Sequence, residues 1–319
     1  MTQNSELPEY GVIFVNVVTP LHNGSGEGLG FVDNPILRER TTQFPVIQAS
    51  SIKGVLRDLF EERASPDVEL LFGPSPIEGE KHSGAISFGD GQILAFPIRS
   101  VKGCFVWITS PHVLWRFYEK ICLMGLDIRF PKLTDSMKQI HSGVIKARIC
   151  PSGKDELCLQ NRKIFLEEFP VTCMESTEIE NIAKVIGEKV YEKEEDSFLR
   201  SEFGKKLVLL NDDTFRYFIT NATEIVPNIR IGDSGTTEDG SLRYTEYLPA
   251  ETIMYSTLIY EKSRKKDNPL KAKDIKDKFT EGLSDRLVIQ IGGDATTGKG
   301  IVKLSLINLP SNETVSKQS

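Results

Sequence analysis

The sequence is poor in the features that mark a class most quickly. Its five cysteines, Cys104, Cys122, Cys150, Cys158 and Cys173, form no Cys-x-x-Cys pair and are odd in number. They read as core residues of a protein in a reducing cytoplasm, not as a disulfide framework or a zinc site. No apolar run approaches the roughly 20 residues that cross a bilayer, so no membrane association is expected. The polar, acidic stretch Met1–Tyr10 is not expected to act as a secretory leader. There is no His-Glu-x-x-His motif and no Ser–His–Asp order, and His82, His112 and His141 show no ligand spacing. No repeat with a period of 20–50 residues is visible. Positive charge is not in excess either: 39 Lys and Arg face 45 Asp and Glu, for a net charge of −6. A free-standing nucleic-acid binder is usually basic. Composition alone therefore argues against such a partner unless the cations gather on one face.

What is present suits a globular α+β protein. A chain of 319 residues that is 39% hydrophobic and 26% charged is long enough for one large domain or two ordinary ones. Residues 11–19, GVIFVNVVT, read as a buried strand ended by Pro20. Gly24, Gly26, Gly28 and Gly30 then break any regular element and open a long loop, polar and charged through Arg38, Glu39 and Arg40. Ser50–Arg63 reads as a helix capped by Ser50 or Ser51. Its apolar stripe is Ile52, Val55, Leu56, Leu59 and Phe60, with Lys53 and Arg57 on the other face. A strand meander is expected over 85–109, a helix over Val113–Met124, and an acidic amphipathic helix from Ile179 to Val190 with a solvated face running to Asp196. No assignment is made for 125–177. Further expected elements are strands at Leu207–Leu210, Thr252–Tyr260, Leu287–Ile291 and Ile301–Ile307, a long hairpin over 228–250, a helix near 275–283 and a frayed tail, Pro310–Ser319. The order of elements predicts an α+β sheet of the ferredoxin or RNA-recognition type with helices on one face, decorated by insertions.

Two loops carry candidate chemistry. Gly293-Asp-Ala-Thr-Thr-Gly298-Lys299-Gly300 nearly spells a phosphate-binding P-loop. The residue after the lysine is glycine instead of Ser or Thr, a strand follows instead of a helix, and too little chain remains for an acidic metal-binding strand. A nucleotide triphosphatase is therefore rejected. What survives is a glycine-rich loop whose free amides and lysine suit a backbone phosphate. In the first loop, His22 and Asp33 read from the residues alone as a packing histidine and a turn cap before Asn34-Pro35. The local cations Arg38, Arg40, Lys53 and Arg57 suit phosphate contact, Lys53 most of all, because a lysine in a first helical turn opposes the helix dipole unless an anion joins it.

The stretch TPLHNGSGEGLGFVDNPILRERTTQFPVIQASSIKGVLR, with FPIRSVKGCFVWITSP, LRYTEYLPAET and GDATTGKGIV further on, closely resembles the RAMP superfamily. Within it, the likeness is to the backbone subunits of type III-B (Cmr) CRISPR effector complexes, and it covers nearly the whole chain. The resemblance implies one RAMP domain over 1–319. Its ferredoxin-like palm would come mainly from 11–63, 85–124 and 252–307, with finger insertions over 125–204 and a β-hairpin thumb over 228–250. It implies binding of a CRISPR guide RNA and a single-stranded target RNA, head-to-tail stacking with copies of itself, association with other Cmr subunits, and a cytoplasmic location. It also implies target cleavage at regular intervals with a divalent metal, Mg2+ or Mn2+. Asp33 matches the family's catalytic aspartate and would hold the metal. His22 matches its loop histidine, and Glu246 and Tyr247 lie in its hairpin motif, where Thr245 replaces a usual glutamate. Lys53 matches its guide-contacting lysine, with Ser51, Arg57, Arg38 and Arg40 nearby. Gly292, Gly293, Thr297, Lys299 and Gly300 form its glycine loop. Two other readings stay open: an RNA scaffold without activity, and a guide-processing ribonuclease.

Overall fold

The computed structural model describes residues 7–308 apart from 27, 29, 76–81, 127–130, 132–145, 160–161, 234, 266–268 and 284–287. His141, Leu287 and the tail Pro310–Ser319 lie outside the described residues. The chain opens with β1 (Glu9–Val17), β2 (Val46–Ile47), α1 (Ala49–Glu62), α2 (Val68–Phe72), β3 (Ile86–Phe88), β4 (Gly91–Arg99), β5 (Phe105–Thr109) and α3 (Pro111–Leu123). A central stretch supplies β6 (Lys146–Ile149), α4 (Lys154–Leu157), β7 (Lys163–Leu166), β8 (Phe169–Glu175), α5 (Thr177–Val190), α6 (Ser197–Lys206), β9 (Leu207–Leu209) and α7 (Asp212–Asn221). It ends with β10 (Glu224–Asn228), β11 (Arg243–Tyr247), β12 (Ile253–Tyr260), α8 (Ala272–Leu283), β13 (Val288–Gln290) and β14 (Ile301–Asn308).

Among the described residues one mixed sheet runs β13-β14-β1-β12-β4-β5-β9-β6-β8-β7, with β2 and β3 attached to β4 and β12; β10 and β11 form a separate ribbon. The unbroken apolar run of β1 explains its central place: Gly11 to Val17 are all buried, which requires cover on both faces of the sheet. Cross-strand partners share a face. Phe14 lies opposite Tyr255 on β12 and Ser305 on β14. On that face Phe117 of α3 packs against both Phe14 and Tyr255, and Ser305 donates to Val190 O at the end of α5. Tyr260, on the opposite face by strand alternation, packs against Phe279 of α8, and Phe279 stacks on Phe60 of α1. Thus α1 and α8 cover one face and α3 and α5 the other. The expectation of helices on one face is corrected: α3, from the expected palm, and α5, from the insertions, form a second layer.

Other boundaries moved as well. The first helix begins at Ala49, whose N–H donates to Asp90 Oδ1 at 2.8 Å. Ser50 and Ser51 therefore lie inside its first turn and do not cap it. Helix α3 starts ahead of Val113, with Ser110 Oγ accepting from Val113 N and Pro111 in the first turn. The expected solvated face near Asp196 is only partly so: Asp196 is 12% exposed and pairs with Lys303 of β14 at 2.5 Å. Residues 125–177, unassigned from sequence, contribute β6, β7 and β8 to the same sheet. The hairpin strands are Glu224–Asn228 and Arg243–Tyr247, in the register Pro227↔Tyr244. The expected strand at Asn228–Asp233 is instead part of a folded tip, where Gly232 N donates to Thr236 O at 2.9 Å.

Candidate functional site

The two glycine-rich connectors, far apart in sequence, meet at one end of the sheet. Gly293 N donates to His22 O and Gly300 N to Pro20 O, both at 2.9 Å. Gly292 has φ +85°, and a Cβ there would stand 2.2 Å from His22 O. Only glycine satisfies both the left-handed backbone and that approach. A 3-10 turn, Ala295–Thr297, crests the loop, and Thr297 Oγ1 turns back onto Asp294 O at 2.8 Å. Beneath the crest, Tyr247 donates its hydroxyl to Asp294 Oδ2 at 2.7 Å, and Lys299 Nζ lies 5.0 Å from the Tyr247 ring centroid. Burial, reinforced by the Asp294 carboxylate, pushes the Tyr247 phenol up to about 12. At 2% exposure it is a neutral donor that holds the loop.

The first connector lies along β11. Asn34 runs parallel to Thr245: its N–H donates to Tyr244 O, and its own carbonyl accepts from Glu246 N, both at 3.0 Å. Thr245 Oγ1, buried, accepts from Asn34 Nδ2 at 3.3 Å and Asn228 Nδ2 at 3.0 Å. His22 Nδ1 is 2.8 Å from Glu246 O. A carbonyl can only accept, so Nδ1 is the donor, and Nε2 has no hydrogen-bond partner among the described residues. A Cβ at Gly24 would be 2.6 Å from that Nε2, so glycine there makes room for the ring. Half-buried Asp33 accepts from Tyr244 N through Oδ2 at 2.7 Å, and its other oxygen has no partner among the described residues. His22 and Asp33 thus anchor two residues apart on β11, about 7 Å along the strand. The structure places them on one strand without bringing them into contact.

Glu246 and Arg38 meet each other across the site. Glu246 is 6% exposed. Its Oε2 accepts from Ile36 N at 3.0 Å, and its Oε1 accepts from Arg38 Nη2 at 2.6 Å and Thr223 Oγ1 at 2.8 Å. Arg38 donates further to the carbonyls of Gln43 and Ile219. Both groups hold the connector through these bonds. Arg57 is tied to Glu61 and to Gly73 O. Ser51 Oγ reaches Asn23 Oδ1 at 3.4 Å, and Asn23 Nδ2 donates to Val46 O, which fastens the connector to the start of α1. The side chains of half-buried Lys53 and exposed Arg40 have no partner among the described residues, although Arg40 O accepts from Gln43 Nε2. Lys53 is the fifth residue of α1, so the first-turn dipole argument applies to it only weakly.

Sequence reasoning missed Asp294, Asn23 and Phe31. An aspartate inside a glycine loop is one of the few non-glycine residues at home at positive φ, and Asp294 has φ +60°. Asn23 gave no local signal. Phe31 is 77% exposed and stacks on Tyr244, with ring centroids 5.0 Å apart and planes at 27°. Among the described residues no group of three or more His, Cys, Asp or Glu is placed to hold a metal, and no helix is long and apolar enough to cross a membrane.

Fold and site together define an α+β protein that presents glycine-rich backbone, a free imidazole nitrogen and one free carboxylate oxygen around a single ribbon strand. The chain belongs to the RAMP superfamily, whose family model matches residues 14–303. It is 37% identical over 304 residues to the CRISPR system Cmr endoribonuclease Cmr4 of Pyrococcus furiosus, covering 92% of this chain and 95% of that protein. It is 27% identical over 314 residues to the CRISPR system CMR subunit Cmr4 of Saccharolobus solfataricus, at 92% and 96% coverage. The crystal structure of oligomeric Cmr4 from Pyrococcus furiosus superposes with a TM-score of 0.68 at 30% identity, covering 95% of this chain and 99% of that one. A chain of the type III-B Cmr-beta complex bound to cognate target RNA shares the fold, with a TM-score of 0.68 at 22% identity and coverage of 93% and 96%.

Proposed function

We propose that this chain is the guide-RNA-binding backbone subunit of a type III-B CRISPR effector complex and that it cuts complementary target RNA at a nucleotide held beside Asp33. The observation that carries the reading is the convergence of both glycine connectors on β11, with one Asp33 oxygen anchored and the other free. The likeness to the Pyrococcus furiosus endoribonuclease supports it. The strand order β14-β1-β12-β4, antiparallel at each step, with α1 and α8 on one face, supports a ferredoxin-like palm. The β10–β11 ribbon then serves as the thumb. Copies stack head to tail along the guide in the cytoplasm and other Cmr subunits cap the stack, since a heterologous contact is open-ended until capped.

RNA carries its own nucleophile, the 2′-OH. The protein therefore has to evert one target nucleotide, hold its ribose and phosphate in line, and stabilise the charge that develops on phosphorus. Lys299 and the loop amides at the crest, Ala295 and Thr296, suit the backbone phosphates, and Lys53 suits the guide. His22 presents Nε2 as an acceptor for a ribose hydroxyl. Tyr247, Glu246 and Arg38 position the two connectors. The residues present fit a water-rich divalent cation of the Mg2+ or Mn2+ type, because such ions need only one or two protein carboxylates when substrate phosphate supplies the rest. Asp33 would hold it, and it would supply positive charge at the scissile phosphate.

Asp33→Asn keeps an oxygen for Tyr244 N while removing the charge. In the assembled complex with labelled complementary RNA, cutting should fall at least roughly a hundredfold with target affinity retained. Wild-type products should end in a 2′,3′-cyclic phosphate, and chelator should stop their formation. Normal cutting by Asp33→Asn would sink the assignment. It would leave the scaffold reading, which the Asp33–Tyr244 cap by itself also accommodates.

A further inference from the structure

The exposed Phe31 ring has no role in holding the fold comparable to that of its neighbours. It is 77% exposed, yet it lies nearly parallel to Tyr244, 5.0 Å away, which leaves its outer face to solvent. Tyr244 is also the residue whose N–H holds Asp33 Oδ2 at 2.7 Å. The ring pair and the free carboxylate oxygen are therefore mounted on the same residue of β11. The surroundings are open and polar. A Cβ added at Gly30 or Gly26 would meet nothing within 4 Å, and the exposed Arg243 next in the chain has no partner among the described residues.

We infer that the Phe31–Tyr244 stack is a nucleobase platform: it takes the face of the everted target nucleotide whose ribose and phosphate lie beside Asp33. The inference rests on the cleavage reading above and adds the group that fixes the base. A stacked aromatic pair presents a flat apolar face that is already ordered, and base-on-ring stacking is worth about 1–3 kcal/mol per base whatever the base identity. That tolerance suits a cutter placed by guide pairing, which must accept any nucleotide at its position. An everted nucleotide is the occupant that fits both exposed features mounted on Tyr244: its base offers a π-face to Phe31 while its ribose and phosphate lie toward the free Asp33 oxygen. An everted base without such a platform is free to swing, and in-line attack demands that the attached ribose be still.

The test is a coupling cycle in the assembled, guide-loaded complex, pairing Phe31→Ala with a target that carries an abasic nucleotide at the everted position. Cutting at that position should slow roughly tenfold with either change alone, and no further with both, because each removes one side of the same contact. Phe31→Trp should cut at the wild-type rate, and Phe31→Leu should be as slow as the alanine variant. Multiplying losses, or unchanged cutting by Phe31→Ala, would overturn the platform while leaving the role of Asp33 intact. Failure of the complex to assemble with Phe31→Ala, together with normal cutting by Phe31→Leu, would assign the ring to contact between copies and also overturn it. The cycle is read in parallel by target affinity in the Asp33→Asn complex. If cutting proves independent of Asp33, coupling in affinity still supports the platform, and its absence there rejects it.

Discussion

Between Thr19 and Pro45 the chain adds side-chain ties to its backbone bonds: Glu246 grips Ile36 N and Arg38, the Asp33 carboxylate holds Tyr244 N, and the Asn23 amide reaches Val46 O and Ser51. The second connector, Gly292–Gly300, is held largely through its own backbone, on the carbonyls of Pro20 and His22, with Tyr247–Asp294 as its side-chain tie. The contrast is functional. A group that must stand at a fixed place beside a reacting bond needs a side-chain lattice around it. On the proposed reading, a surface that follows a sugar-phosphate chain needs a tight, low-profile turn and room above it, which glycines at positive φ provide.

That contrast can be broken by substitution. The largest effect is expected for Glu246→Ala, which removes the acceptor for Ile36 N, Arg38 and Thr223 together. Losing one partner of a buried ion pair costs about 3–5 kcal/mol, which denaturant unfolding would read as a lower midpoint, with cutting lost alongside. A cost below about 1 kcal/mol would mean that the first connector stands without its lattice. Next comes a pair of glycines. Gly292→Ala combines a left-handed backbone with a clash against His22 O and should cost about 2–4 kcal/mol. Gly298→Ala, at φ +77° but in open space, should cost only about 1 kcal/mol. Equal costs would show that the second connector is not seated on the first. The smallest effect on the fold is expected for Lys53→Ala. Its thermal midpoint should stay in place, while guide affinity falls and the salt dependence of binding loses about one ion. An unchanged salt slope would remove Lys53 from the guide-binding surface.

The sequence carried the connectors, the central strand and most helices, because these are written in local pattern: the run Val12–Val17, the stripe from Ile52 to Phe60, the glycines. It did not carry what depends on distant partners. The start of α1 was misplaced because its first amide is held by Asp90, 41 residues on. Arg38 and Glu246 were legible as charges, but that they neutralise each other across 208 residues was not. The ribbon was shifted because the alternation in Asn228–Ile231 imitates a strand, whereas the true partner of β11 contains Pro227, tolerable in a two-stranded ribbon. One misreading was avoidable. An apolar run without alternation announces burial on both faces, and β1 has such a run, so the second helical layer was implied from the start.

The hydrogen bond between Asp33 and Tyr244 also has a consequence for when activity can appear. Its two ends are separated by 211 residues, and the companion contact from His22 to Glu246 by 224. A polypeptide still emerging from the ribosome carries Asp33 long before the strand that braces it. A chain cut short ahead of β11 would lack that brace and also β12 and β14, the two strands that flank β1. On the proposed role of Asp33, an unfinished subunit therefore has neither a braced carboxylate nor a central sheet on which to hold RNA.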